Sequence, residues 1–198
     1  LDVALWDIYG KMNGLPAFEL LGGAERNPFQ TDSNQSTRAP HITPYATIVS
    51  DSWERDVVLH QQVDRCERLA AEGFLAFKVE PMHSTRETAV ELVRLSRSAL
   101  GPDPILAFDV GYGYNEHVTA LWVAKRVEEY DVYFFETPFP VDGANAYSRL
   151  SEKTSIPLAM GEHASCRFEF LEMMDHGGVT ICQPYTNNCG GLTECKRI

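Results

Sequence analysis

Three acidic residues recur along this chain at near-equal spacing, each closing a short apolar run. They are Asp109 after Ile-Leu-Ala-Phe, Glu136 after Val-Tyr-Phe-Phe and Glu162 after Pro-Leu-Ala-Met-Gly, with separations of 27 and 26 residues. That separation is about the length of one strand–loop–helix–loop unit in a parallel α/β fold. Equal spacing therefore predicts three carboxylates at the same end of three successive parallel strands. Carboxylates that converge repel one another unless a cation lies between them. Donors that are all oxygen suit a hard divalent ion, Mg²⁺ ahead of Zn²⁺. Each acid alone reads equally well as a helix N-cap or a solvated side chain; the repetition is what points to a metal.

The elements that position these acids follow from hydrophobic period. Residues 2–12 predict an amphipathic helix stopped by Gly14-Leu15-Pro16, with another turn at 17–21. Residues 24–43 are polar and rich in Asn, Ser, Thr, Gln and Pro, and read as a linker or long loop. From Pro44 onward strands and helices alternate. Strands are predicted at 45–49, 74–79, 105–109, 132–136, 157–160 and 178–182, and helices at 53–72, 85–100, 117–130, 144–152, 166–175 and from about 190. Wholly apolar runs such as 105–108 and 132–135 suit strands covered on both faces. An open doubly wound sheet and a (β/α)₈ barrel both accommodate this order. An open sheet gathers its site at one switch point, whereas barrel strand ends all face one centre. One acid from each of three successive strands favours the barrel. The expectation is an α/β chain: an incomplete (β/α)₈ TIM-type barrel of about six βα units over 44–198, preceded over 1–43 by short helical segments and a linker. Both ends fall inside helical patterns and read as cut, with two barrel units expected beyond Ile198.

Bulk properties narrow the function classes. The chain has 198 residues, 44% hydrophobic and 23% charged, an ordinary globular composition. A net charge of −11 disfavours nucleic acid and anionic membrane as partners. No apolar run is long enough to predict a transmembrane helix, and the reading expects no leader peptide. The five cysteines, Cys66, Cys166, Cys182, Cys189 and Cys195, form no C-x-x-C pair and are odd in number. They predict reduced thiols in a cytoplasmic protein, with Cys182 and Cys189 serving packing.

Five segments in order carry a resemblance. Leu1 to Pro16 with Leu20-Leu21-Gly22-Gly23, Phe77-Lys78-Val79-Glu80, the three acids, Gln183-Pro184-Tyr185, and Gly190-Gly191-Leu192-Thr193-Glu194 together resemble the mandelate racemase and muconate lactonizing enzyme family of the enolase superfamily. The resemblance implies Asp109, Glu136 and Glu162 as metal ligands, Mg²⁺ as the cofactor, and a small-molecule carboxylate as substrate. It makes residues 1–43 the end of an α+β capping domain plus a linker, places Lys78 against the substrate carboxylate, and implies a homo-oligomer in the intact form. Lys78 closes its strand at the same barrel face as the acids, and Glu80, two residues on, shares its side of the strand.

The departures matter as much. Glu80 stands where the family carries a second, catalytic lysine; with Lys78 it is a candidate catalytic residue, as a weak acid or base, a metal neighbour or a salt-bridge partner of Lys78. Tyr185 stands where it carries an Asp that orients a catalytic His, and that His is expected beyond Ile198. Gly111 replaces a frequent Asn. His163, directly after Glu162, is a candidate catalytic or substrate-contact residue, and Tyr112 and Tyr185 are candidate substrate contacts; His83, His117 and His176 read as surface residues. Abstraction of the proton alpha to a carboxylate, with Mg²⁺ stabilising the resulting enediolate, is the chemistry implied. Without the second lysine, acid-sugar dehydration leads over racemisation of a 2-hydroxy acid and over muconate-type cycloisomerisation. A different class is an inactive fragment or binding protein that keeps only the metal site. The 198-residue chain alone is expected to be inactive.

Overall fold

The computed structural model describes residues 1–22 and 42–198. The predicted linker therefore lies, apart from its last two residues, outside the described residues. Two helices come first, α1 (Asp2–Asn13) and α2 (Ala17–Leu20). Six βα units follow: β1 (Ala46–Ile48) and α3 (Arg55–Ala71), β2 (Ala76–Val79) and α4 (Arg86–Leu100), β3 (Ile105–Asp109) and α5 (His117–Val127). Then come β4 (Val132–Glu136) and α6 (Ala144–Ser151), β5 (Leu158–Met160) and α7 (Arg167–Asp175), β6 (Ile181–Cys182) and α8 (Leu192–Arg197). The strands pair in strict sequence order, all parallel. An order without reversal has no switch point, which separates this sheet from the doubly wound alternative. The sheet is an incomplete (β/α)₈-type barrel wall.

Alternation along the strands sorts residues to two faces. Phe77, Val79, Leu106, Phe108, Phe135, Leu158 and Met160 join one large core with the helices. Ala107, Phe134 and Ala159 form a second, smaller cluster, with Ile181 packed against it. Lys78, Asp109 and Glu136 follow the period of that second face, so they sit on the barrel's inner side.

Helix boundaries follow local chemistry. Thr85 caps α4 by accepting a bond from the Thr88 amide at 3.2 Å. Arg97, in the last turn of α4, donates to the carbonyls of Gly101, Pro104, Tyr130 and Asp131. One guanidinium thus ties together the segments leading into β3 and β4. The predicted helix 117–130 ends in a 3₁₀ turn at Glu128–Tyr130, and Asp131, at φ 50°, turns the chain into β4. The sixth strand is shorter than expected. Gly178 adopts φ 67°, and the Val179 amide bonds back to Met173 in α7, so regular pairing begins only beyond them.

The N-terminal helices are tied to the far end of the chain. Asp2 accepts bonds from the Thr193 amide at 3.0 Å and hydroxyl at 2.6 Å, and the Trp6 indole donates to the same hydroxyl at 2.9 Å. Among the described residues no helix is long and apolar enough to cross a membrane.

Candidate active site

The ends of β2, β3 and β4 converge on one ammonium. Lys78 Nζ lies 3.0 Å from Asp109 Oδ2, 2.9 Å from Glu136 Oε2 and 3.4 Å from Glu80 Oε1. All three partners are largely shielded from water, and Glu136 is only 3% exposed. Register explains the meeting. Lys78 is level with Ala107, so its long chain must climb one strand repeat to reach Asp109, which is the direct partner of Glu136. A register shift between Leu106 and Phe108 is what brings Asp109 and Glu136 level.

The cluster is over-acidic, with three carboxylates against one ammonium. Burial alone would lower Lys78, but Asp109 and Glu136 outweigh it and hold the ammonium above the ordinary lysine range. Burial, then the Asp109 charge, raises Glu136. The same two causes push Glu80 up to about 6.

Glu162 lies apart. Ala159 is level with Glu136 in the register, so Glu162 stands three residues further along the chain. Gly161, at φ 141°, turns the backbone between them, and a Cβ there would meet the Phe170 ring at 2.4 Å. The Glu162 side chain is half exposed, 3.7 Å from His163 Nε2. The His163 ring in turn sits 5.2 Å from that of Tyr112. The Tyr112 hydroxyl is enclosed without a partner in bonding geometry, and burial, then the nearby Glu162 carboxylate, pushes its phenol up. Two groups result: Lys78, Glu80, Asp109 and Glu136 in the pocket, and Tyr112, Glu162 and His163 beside it. Tyr185 joins neither; it is half exposed, and its hydroxyl accepts from Asn187 at 3.0 Å. His117, read as a surface residue, is partly buried instead, with Nε2 enclosed and its ring stacked on Phe139.

Among the described residues no three His, Cys, Asp or Glu side chains converge closely enough to hold a metal ion. The donor chemistry nevertheless fits a hard cation. Three carboxylates, Glu80, Asp109 and Glu136, surround the single ammonium of Lys78, which already places positive charge between Asp109 and Glu136. Gln183, at the end of β6, has its side-chain Oε1 enclosed without a partner.

Other residues shape the pocket without having been singled out in the sequence. The Thr137 hydroxyl donates to Asp109 Oδ1 at 2.6 Å, with its backbone at φ 44°, an outlier for a β-branched residue. Tyr112 and His83 also adopt positive φ on loops at this end of the barrel. Such strain gathers at functional sites. Gln62 of α3 is fully buried and pairs with the Glu80 backbone through both ends of its amide, at 2.8 and 3.0 Å. Its place three residues after Leu59 and four before Cys66, on the buried stripe of α3, is the signal that marks it.

Residues 61–198 match the family described as enolase C-terminal domain-like. The chain is 33% identical over 200 residues to the D-galactonate dehydratase of Ralstonia pickettii (strain 12J), covering 100% of this chain and 49% of that protein. It is 34% identical over 209 residues to the D-galactonate dehydratase of Variovorax paradoxus (strain S110), again covering 100% of this chain and 49% of that protein. The chain thus spans about half the length of the curated relatives it matches. The solved 3,6-anhydro-D-galactonate cycloisomerase from Zobellia galactanivorans superimposes with a TM-score of 0.84 at 32% identity, covering 100% of this chain and 50% of that one. An enolase-superfamily member from Polaromonas sp. JS666 superimposes with a TM-score of 0.80 at 28% identity, covering 98% of this chain and 47% of that one. With its inner-face acids, sequential parallel strands and these matches, the chain belongs to the mandelate racemase/muconate lactonizing enzyme family of the enolase superfamily.

Proposed function

We propose that this chain supplies the proton-transfer face of an acid-sugar dehydratase. The observation that carries the reading is the buried, over-acidic pocket in which Lys78 bridges Asp109 and Glu136 at adjacent strand ends. Similarity to D-galactonate dehydratases supports a sugar acid as the substrate class. Residues 1–43 are assigned to the end of a capping region and a linker, and 44–198 to the catalytic barrel.

Asp109, Glu136 and Glu162 would hold Mg²⁺. When bound, that ion supplies positive charge where the substrate carboxylate gathers negative charge on losing its alpha proton. Lys78 orients the substrate carboxylate and adds a second positive charge beside it. Glu80, with its carboxyl raised to about 6, holds or releases a proton near neutral pH, which a carboxylate of ordinary pKa does poorly. His163 presents its ring nitrogens to the hydroxyls of a sugar chain, the enclosed Tyr112 backs the His163 ring, and Tyr185 lines the outer edge. The net reaction removes the alpha hydrogen and the beta hydroxyl as water, and the enol product relaxes to a 2-keto-3-deoxy acid.

A second reading is a metal-binding protein without turnover. It is favoured by Tyr185, which stands apart from both residue groups where the family pattern has a functional Asp. A screen of aldonic acids in D₂O with Mg²⁺, following keto-acid formation and alpha-deuterium, separates these readings. Keto acid supports dehydration. Deuterium uptake with both hydroxyls retained replaces it with racemisation or epimerisation. Ligand-induced stabilisation without either change supports binding alone.

A further inference from the structure

Cys189 lies in the turn between β6 and α8, and Cys195 lies within α8. Gly190 and Gly191, at φ 87° and 112°, reverse the chain there. The two Sγ atoms consequently lie 3.1 Å apart. A disulfide requires about 2.05 Å, so closure moves the two sulfurs together by about 1 Å. Cys189 is 1% exposed, whereas Cys195 is partly open to solvent. The geometry points to an intrachain dithiol at Cys189 and Cys195 that a low-molecular-weight disulfide closes to a cystine.

Exposure sets the order of the two exchanges. Cys195, the reachable thiol, loses its proton and attacks the small disulfide, forming a mixed disulfide and expelling one small thiolate. The buried Cys189 then loses its proton and attacks Cys195 Sγ, expelling the second. Two cysteine thiols are oxidised, one small disulfide is reduced, and the two protons finish on the two departing thiols. Burial, the Cys189 thiol and the Asp2 and Glu194 carboxylates push Cys195 up to about 11, so the first attack is slow at neutral pH.

The turn is coupled to its surroundings on both sides. Asn188, next to Cys189, donates to the Glu162 carbonyl at 2.7 Å. Thr193 bonds Asp2 of α1, and Glu194 bonds the Arg167 guanidinium at 2.9 Å. Closing the dithiol tightens the loop between the backbone of Glu162 and the clamp on α1.

The test incubates the folded protein in a mildly alkaline, oxidising glutathione buffer, quenches with iodoacetamide and cleaves after Glu194, between the two cysteines. Cys189 and Cys195 are expected to lose one hydrogen each, to escape alkylation and to keep their two peptides joined until reduction. Cys66, fully buried, stays unalkylated before denaturation and reports the fold. Cys195→Ser leaves Cys189 reduced, and Cys189→Ser leaves Cys195 carrying one glutathione. The inference is overturned if both wild-type thiols alkylate singly while Cys66 stays protected, or if either bridges Cys166 or Cys182 instead. Should a serine variant expose Cys66, the wild-type peptide map alone decides.

Discussion

Asp109 and Glu136 are direct register partners across β3 and β4, and each places a carboxylate oxygen within 3.0 Å of Lys78 Nζ. Two buried acids this close are tolerable only with positive charge between them. This arrangement makes the pocket a stability problem.

Removing the ammonium exposes that tension. Lys78→Met should destabilise the protein by about 3–5 kcal/mol in chelator, the usual cost of orphaning one side of a buried ion pair. Mg²⁺ should then stabilise the variant more than it stabilises wild type, because the cation takes over the neutralising role. Urea midpoints with EDTA and with Mg²⁺ measure both effects. Equal Mg²⁺ responses in the two proteins would refute a shared cation position.

The three acids should contribute unequally to metal binding. At a Mg²⁺ concentration about 100 times its Kd, mass action adds roughly 2.7 kcal/mol to wild type. Asp109→Ala and Glu136→Ala should abolish this gain, whereas Glu162→Ala, from the half-exposed loop, should only reduce it. Thermal melts over a Mg²⁺ titration provide the ranking. A triple variant that responds as wild type does would remove the assignment altogether.

Glu80 makes stability depend on pH with a definite sign. Its folded pKa is raised, from 4.5 to about 6. A raised carboxyl contributes stability below its unfolded value, and that contribution is lost as pH rises through the folded value. Glu80→Gln should therefore match wild-type stability below about pH 4.5 and exceed it by about 1–2 kcal/mol above roughly pH 6, both in chelator. Denaturant titrations of both proteins across that window test it. A variant less stable than wild type at alkaline pH would show that the pairing with Lys78 outweighs burial.

Gln62 holds Glu80 from behind. Gln62→Leu keeps the size but leaves the amide and carbonyl of Glu80 without their side-chain partners, although the amide also bonds Ile48. The expected loss is about 1–3 kcal/mol. Hydrogen exchange at the Glu80 amide should quicken in the variant, and unchanged exchange would show that the β-ladder alone fixes that strand end.

Much of this protein was legible from local pattern. The period-2 and period-3.6 placement of apolar residues set out the strands and helices, and β3 and β4 end where their acids predicted. The family was readable because its motifs are contiguous, from Phe77-Lys78 through Gly190-Gly191.

What tertiary structure alone decided are relations between distant residues. Equal sequence spacing did not place Glu162 level with Glu136, since register is set by backbone pairing and Gly161 then redirects the chain. The reach of Lys78 to Asp109 and Glu136, the clamp of Gln62 on Glu80, the tie between Asp2 and Thr193, and the approach of Cys189 to Cys195 all depend on chain reversals and packing. Sequence determined which groups were available at each strand end. Register, glycine torsions and burial determined which of them touch, because those terms are summed over the whole fold and no local window contains them.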